Sequence, residues 1–270
     1  MQVLRLIFLL LISYSSGHTD PEPVKITSER DGEKVVIIAA NPNPYPVTIE
    51  LSMKTKNIIP GEAFPVIKIL PANARDRVTV VRIADPSKSW NYETSYIFYM
   101  GDINAQHDNR FAYRLPYAIN TTERVGQAYG GSFSHTGPNY YSIDFNMEEG
   151  SRVVAARSGL VVEVQEEFNE GGADRSYIQK ANYITIMHDD GTFADYSHLR
   201  KNGAVVREGQ QVRLGQHIGY SGATGFATGP HLHFVVKKAS RGGGYESIPV
   251  KFKTKEGIIT LQDRESYTAY

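Results

Sequence analysis

The sequence predicts a mostly β protein, with an N-terminal antiparallel β-sandwich-like module followed by a second β-rich domain. Three observations carry this reading. β-Branched and aromatic residues alternate with polar ones in short runs, and Gly, Pro, Asn and Asp punctuate those runs. An Asp-Gly pair, the strongest short hairpin signal, joins two such runs in the second half. No stretch of the 270 residues carries a long amphipathic helical period.

The elements follow in order. Residues 1–17 read as a signal peptide: Arg5 in a short start, the apolar run Leu6 to Ile12, then Ser13-Tyr14-Ser15-Ser16-Gly17. The apolar run is too short for a stable bilayer span, so cleavage would leave no membrane anchor and a periplasmic or secreted protein. Residues 18–118 form the accessory module. Its strands are read at Val35–Ile38 before Asn41-Pro42-Asn43-Pro44, at Val47–Met53, at Val78–Ile83 and at Ser95–Met100. Residues 119–128, with polar Asn120–Arg124, read as a linker. The second domain is expected over 129–252. Its strand signals are Val153–Val164, turning at Ser158-Gly159, and the hairpin Tyr183–His188, Asp190-Gly191, Thr192–Leu199. Residues 253–270 are polar and read as a surface tail.

Composition narrows the function. Lys plus Arg and Asp plus Glu number 29 each, so there is no electrostatic case for a nucleic-acid partner. Cysteine is absent. Any metal site must therefore be built from His and carboxylate, and the fold has no disulfides to lean on.

Chemistry concentrates in the second half, which holds six of the eight histidines. In Thr228-Gly229-Pro230-His231-Leu232-His233-Phe234 the two histidines fall on one face of a strand, roughly 6–7 Å apart from the strand rise. Alone, such a pair is more often two satisfied histidines than a metal site. Two further pieces change that balance: Ser134-His135-Thr136-Gly137 leading to Ser142-Ile143-Asp144-Phe145, and Tyr196-Ser197-His198-Leu199. Two His and one Asp suit zinc and leave one net positive charge, which acidifies water and polarises a carbonyl. The helical His-Glu-x-x-His arrangement is absent, so a general base must come from the remaining histidines. His107, beside Asp108, reads as a surface residue, and His188 and His217 as structural or solvated.

Gly219-Tyr220-Ser221-Gly222-Ala223-Thr224-Gly225-Phe226-Ala227-Thr228-Gly229-Pro230-His231-Leu232-His233-Phe234 resembles the signature of the lysostaphin/LytM-type zinc metallopeptidases. These are endopeptidases that cut peptide cross-links of bacterial peptidoglycan. The His135…Asp144-Phe145 and Tyr196-Ser197-His198-Leu199 pieces match its companion motifs in order, and the resemblance covers about Tyr129 to Lys238. It implies an antiparallel β-sheet peptidase domain with Zn2+ bound by His135, Asp144 and His233. It implies that His198 and His231 stand beside the metal as catalytic histidines, and leaves open which is the general base and which steadies the oxyanion. The activity implied is hydrolysis of peptidoglycan stem-peptide cross-links by a zinc-activated water. Both amides between meso-diaminopimelate and D-Ala and glycine bridges are targets within that class. The alternative is a non-enzymatic regulator of cell-wall amidases on the same fold; such relatives have lost zinc ligands, whereas all five residues are present here. One departure stands out. The family commonly separates its first His and Asp by three residues, while eight lie between His135 and Asp144. That extra length reads as an insertion beside the cleft, with Tyr140, Tyr141 and also Phe226 as candidate substrate contacts.

Overall fold

The computed structural model describes residues 23–270, so the leader read at 1–17 lies outside the described residues. The chain divides into two compact units. The first comprises the described residues up to Ile103 together with Ala239–Gly244, and the second Asn104–Lys238 with Tyr245–Tyr270.

In the first unit, β1 (Lys25–Asp31), β2 (Lys34–Ala40), β4 (Ile58–Pro60) and β6 (Arg75–Ile83) form an antiparallel sheet in the order β1-β2-β6-β4. A second antiparallel sheet joins β3 (Val47–Lys56), β5 (Val66–Leu70) and β7 (Asn91–Met100) in the order β5-β3-β7. Alternation decides which face is apolar: Val47, Ile49 and Leu51 of β3 are fully buried. Hydrogen bonds from Tyr92 Oη to Ser28 Oγ and from Tyr96 Oη to the Val24 carbonyl link the two sheets.

The second unit opens with β8 (Ala112–Arg114), β9 (Thr122–Gln127), β10 (Ser142–Asn146) and β11 (Arg152–Val154). It continues through β12 (Gly159–Gln165), β13 (Gly171–Gly172), β14 (Tyr183–Met187), β15 (Phe193–Ser197) and β16 (Leu199–Ala204). Then come β17 (Gln211–Val212), β18 (His217–Ser221), β19 (Gly225–Phe226) and β20 (His231–Ser240). The chain finishes with β21 (Gly244–Ser247), β22 (Lys251–Thr254), β23 (Gly257–Ile259) and β24 (Ser266–Thr268). The main sheet runs β17-β12-β14-β15-β20-β10-β9-β24, antiparallel throughout. The Asp190-Gly191 hairpin forms as the sequence predicts, joining β14 to β15.

One face of this sheet is the core. Tyr196, Phe234, Phe145 and Phe252 are at most 1% exposed. Their rings meet edge to face, with centroids 5.2 Å apart for Tyr196–Phe234 and 5.8 Å for Phe234–Phe252. Burying rings of this size contributes about 1.5–3 kcal/mol each.

The limits of this unit differ from the sequence expectation in three places. Tyr113, Leu115 and Tyr117, assigned to the accessory module by the boundary at 118, are buried in the second unit's core. Residues 119–128 are not a linker: β9 occupies Thr122–Gln127 between β10 and β24. Val125 is its one fully buried residue, so the polar outer face hides the strand's alternation. Residues 253–270 are not a trailing tail. Leu261, Tyr267 and Ala269 join the core, and Tyr117 Oη donates to the Tyr267 carbonyl at 2.7 Å.

Candidate metal centre and its cleft

The opposite face of the sheet carries the chemistry, and strand register brings it together. Asp144 of β10 lies directly across from His233 of β20, and His233 lies across from Ser197 of β15. His231, two residues back on β20, shares that face and pairs with Asn146. His135 arrives from the loop between β9 and β10. Ligand atoms of His135, Asp144 and His233 all lie within 4.8 Å of one another.

The hydrogen bonds test whether these residues suit a metal. His135 Nδ1 lies 2.8 Å from the Ala128 carbonyl oxygen, so Nδ1 carries the hydrogen and Nε2 presents a lone pair. That Nε2 is buried and has no hydrogen-bond partner among the described residues, although Asp144 Oδ1 stands 3.1 Å away. His233 Nδ1 is 2.8 Å from the same oxygen. A lone pair held against a carboxylate oxygen is unfavourable by itself and is the arrangement of two ligands of one cation. Burial alone would raise the Asp144 carboxyl, but hydrogen bonding and charge from His233, with charge from His231, hold it well below the usual carboxylate range. It is ionised, as a ligand must be. The donor set fits a divalent metal.

The other two histidines flank this group. His198 and His231 have ring centroids 4.5 Å apart, and His198 lies 5.8 Å from His233. His198 Nδ1 donates to the Thr224 carbonyl at 2.6 Å and His231 Nδ1 to the Gly229 carbonyl at 2.9 Å. Each is thereby held with Nε2 unprotonated. Burial, reinforced by repulsion from His231 and His233, pushes His198 down to about 3, and burial likewise lowers His231. His198 adopts φ 65°, a left-handed conformation that costs a residue with a Cβ about 1–2 kcal/mol. Local hydrogen bonds fix this bend: Thr224 Oγ1 donates to the Leu199 carbonyl and accepts from Asn182 N. Gly222 makes the approach possible, since a Cβ there would stand 2.4 Å from Arg200 N.

Residues 138–245 match the model of peptidase family M23. This part of the chain is an M23 peptidase domain. The match begins after His135, so the first of the five site residues lies just outside it. The chain is 40% identical over 99 residues to the glycyl-glycine endopeptidase ALE-1 of Staphylococcus capitis, covering 36% of this chain and 24% of that protein. It is 38% identical over 91 residues to the peptidoglycan DD-endopeptidase ShyA of Vibrio cholerae, covering 34% of this chain and 18% of that protein. The chain thus spans about a quarter or less of the length of these two curated relatives. Among solved structures, the catalytic domain of lysostaphin from Staphylococcus simulans is 28% identical, covering 47% of this chain and 88% of that one, with a TM-score of 0.33.

The five histidine and aspartate positions line or adjoin a cleft of about 850 Å³. Its walls come from the loop that carries His135 and from the segments holding Arg175, Ile178 and Phe226. Tyr140 is 48% exposed, packs edge to face on Tyr141 and, like Tyr141, is absent from the cleft lining; Phe226 lines the cleft.

One residue at the site has no counterpart among the sequence expectations. Gln127 Nε2 donates to Asp144 Oδ2 at 3.1 Å and to Ser134 Oγ at 2.9 Å, while its Oε1 accepts from Phe133 N at 3.0 Å. It therefore occupies the second carboxylate oxygen and pins the His135 loop at the same time. The sequence offered no local signal for it: Val125 pairs with core-facing Phe145, and alternation would put Gln127 on that same face, but a register shift between the two pairs sets Gln127 opposite Asp144 instead.

The histidines set aside do not join the centre. His188 is buried, with Nδ1 on Thr192 Oγ1, and packs against Tyr113. His107 is half-buried, not a surface residue: it stacks on Tyr113, with its Nε2 3.2 Å from the Tyr113 hydroxyl. His217 stays in β18, with Nε2 donating to the Gly219 carbonyl.

Proposed function

We propose that this chain is an exported, zinc-dependent endopeptidase that hydrolyses the peptide cross-links of peptidoglycan. The observation that carries the reading is the buried, partnerless Nε2 of His135 facing an ionised Asp144 beside His233. The M23 match and the two endopeptidase relatives, one of them a peptidoglycan DD-endopeptidase, support the reaction class, and the leader-like segment supports export to the periplasm or medium.

His135 Nε2, Asp144 Oδ1 and His233 Nδ1 would hold the ion. Zinc bound there supplies Lewis acidity for a water and for an amide carbonyl. The chain's own residues do the rest. Neutral His231 and His198 each offer a free Nε2 to the cleft, so either accepts a proton from the attacking water. Their rings are close enough that a charge on one opposes a charge on the other, so the pair carries one proton at a time. Once protonated, the accepting Nε2 becomes a donor to the developing oxyanion and then to the leaving amine. The carbonyls of Thr224 and Gly229 keep both rings oriented through the cycle.

The test is digestion of purified sacculi followed by mass analysis of the released fragments. Wild type should release cross-link fragments, and both a chelated sample and His231→Ala should not. Undiminished release in both controls refutes the reading. Zinc should remain bound in His231→Ala and be lost in His233→Ala; loss from the former would overturn the division of roles.

A further inference from the structure

The cleft has a chemically uneven rim. Of the residues that line it, Arg175 is the one Lys or Arg among the described residues, and Asp144 the one acidic residue. Arg175 is exposed at the start of a 3-10 segment, Arg175–Lys180, and pairs with no carboxylate among the described residues. Its neighbour Asp174 is otherwise engaged, accepting from Ser176 N at 2.8 Å as the cap of that segment. Ile178, one turn on, is 52% exposed on the same cleft.

This segment is fixed to the second wall. β13 pairs in parallel with β19, Gly225 N donates to the Glu170 carbonyl, and Ala227 N donates to that of Gly172. Gly171 lets the strands approach, since a Cβ there would fall 1.8 Å from the Ala223 carbonyl oxygen. Phe226 of β19 stacks on Phe133 from the His135 loop, with centroids 5.1 Å apart and planes 7° from parallel. Phe133 stays 54% exposed while Gln127 holds its backbone. An unpaired cation lining the same cleft as an exposed ring, a half-buried ring and an aliphatic side chain makes a recognition surface for an anion on a short apolar chain.

We propose that Arg175, with the Phe133–Phe226 stack and Ile178, forms a specificity subsite for a free carboxylate on an aliphatic residue flanking the scissile amide. The substrate class is then the carboxylate-bearing cross-link of the meso-diaminopimelate type, because a glycine bridge offers neither the side-chain carboxylate nor the apolar chain. This inference rests on the hydrolase reading for the location of the scissile bond. The two named relatives, similar in identity, do not choose between these chemistries; the rim does.

The test separates binding from cleavage. In the zinc-loaded His231→Ala protein, binding of two soluble cross-linked peptides, identical except for carboxylate or carboxamide at the flanking residue, is measured beside pentaglycine by fluorescence anisotropy. The carboxylate peptide should bind about tenfold more tightly than the carboxamide, the scale of one charge-assisted hydrogen bond. Adding Arg175→Gln should abolish that preference, Arg175→Lys should retain part of it, and Phe133→Ala should weaken both peptides equally. Equal binding of the two peptides, tighter binding of pentaglycine, or a preference that survives Arg175→Gln overturns the subsite. Cleavage by wild type is scored separately: carboxylate-selective binding without cleavage refutes the hydrolase reading and leaves the subsite standing.

Discussion

Replacing Gln127 by Leu removes three hydrogen bonds and little volume. The amide donates to Asp144 Oδ2 and Ser134 Oγ and accepts from Phe133 N, at 2.9–3.1 Å. The bond to Asp144 is charge-assisted, and such bonds contribute about 1.5–3 kcal/mol. Asp144 keeps some contact with solvent, its side chain being 13% exposed, so water recovers part of this and the lower end applies. Two opposed effects reach the metal. A carboxylate relieved of a donor is more basic and a better ligand, but one free to rotate no longer presents Oδ1 to His135 and His233. Orientation wins here, because the same substitution also frees the loop that carries His135. Zinc affinity should therefore fall about tenfold, the low end of the range for partners of metal ligands. Competition with a chromophoric chelator at fixed pH measures it directly, with circular dichroism checking the fold. A folded Gln127→Leu protein whose zinc Kd stays within about twofold of wild type would refute the argument that orientation outweighs basicity.

Three further outcomes are expected. Gly222→Ala should lower the unfolding free energy by about 1–3 kcal/mol, since its Cβ would meet the Arg200 and Leu199 backbone at 2.4–2.8 Å, and a thermal melt matching wild type would count against that contact. Leu261→Ala should cost about 2–5 kcal/mol in denaturant unfolding, because the closing segment is core and not tail; a cost below about 1 kcal/mol would contradict that placement. His188 gives a pH dependence. Burial first, then Arg157 and His107, pushes it down to about 3 against the opposing pull of Asp190, so the folded state refuses a proton that the unfolded chain takes up below about 6.5. Its contribution is thus present near neutrality and is lost as pH falls from about 6.5 toward 3, by about 2 kcal/mol between pH 7 and pH 5. His188→Gln should flatten that part of the stability profile, as read from guanidinium midpoints; an unchanged slope would remove His188 as its source.

The five residues singled out in the sequence are those the fold gathers at one end of the sheet face. Asp144, His231 and His233 were legible because strand period fixes which way each points, whereas His135 and His198 were found through the short motifs that carry them and not through any period. Asp144 was reachable despite its long separation from His135, since the extra residues form a loop and leave the register of β10 against β20 undisturbed. What escaped notice depended on pairing across the sheet. Gln127 lies in a stretch whose polar surface residues mask a strand anchored by Val125 alone. The closing strands carry one buried residue for each exposed one, over runs of only three or four, too short for periodicity to speak. The left-handed turn at His198 is imposed by Thr224 and Gly222, about twenty-five residues away, and nothing beside His198 announces it.

The pairing of β9 with β24 has a practical meaning for anyone handling this protein. Ser266 stands opposite Arg124 and Thr268 opposite Thr122, three to five positions from the amide that steadies Asp144. The last few residues therefore act as a remote fastening for Asp144. On the metallopeptidase reading, a proteolytic nick or an affinity tag near Tyr270 would weaken metal retention as well as the core contacts of Tyr267 and Ala269.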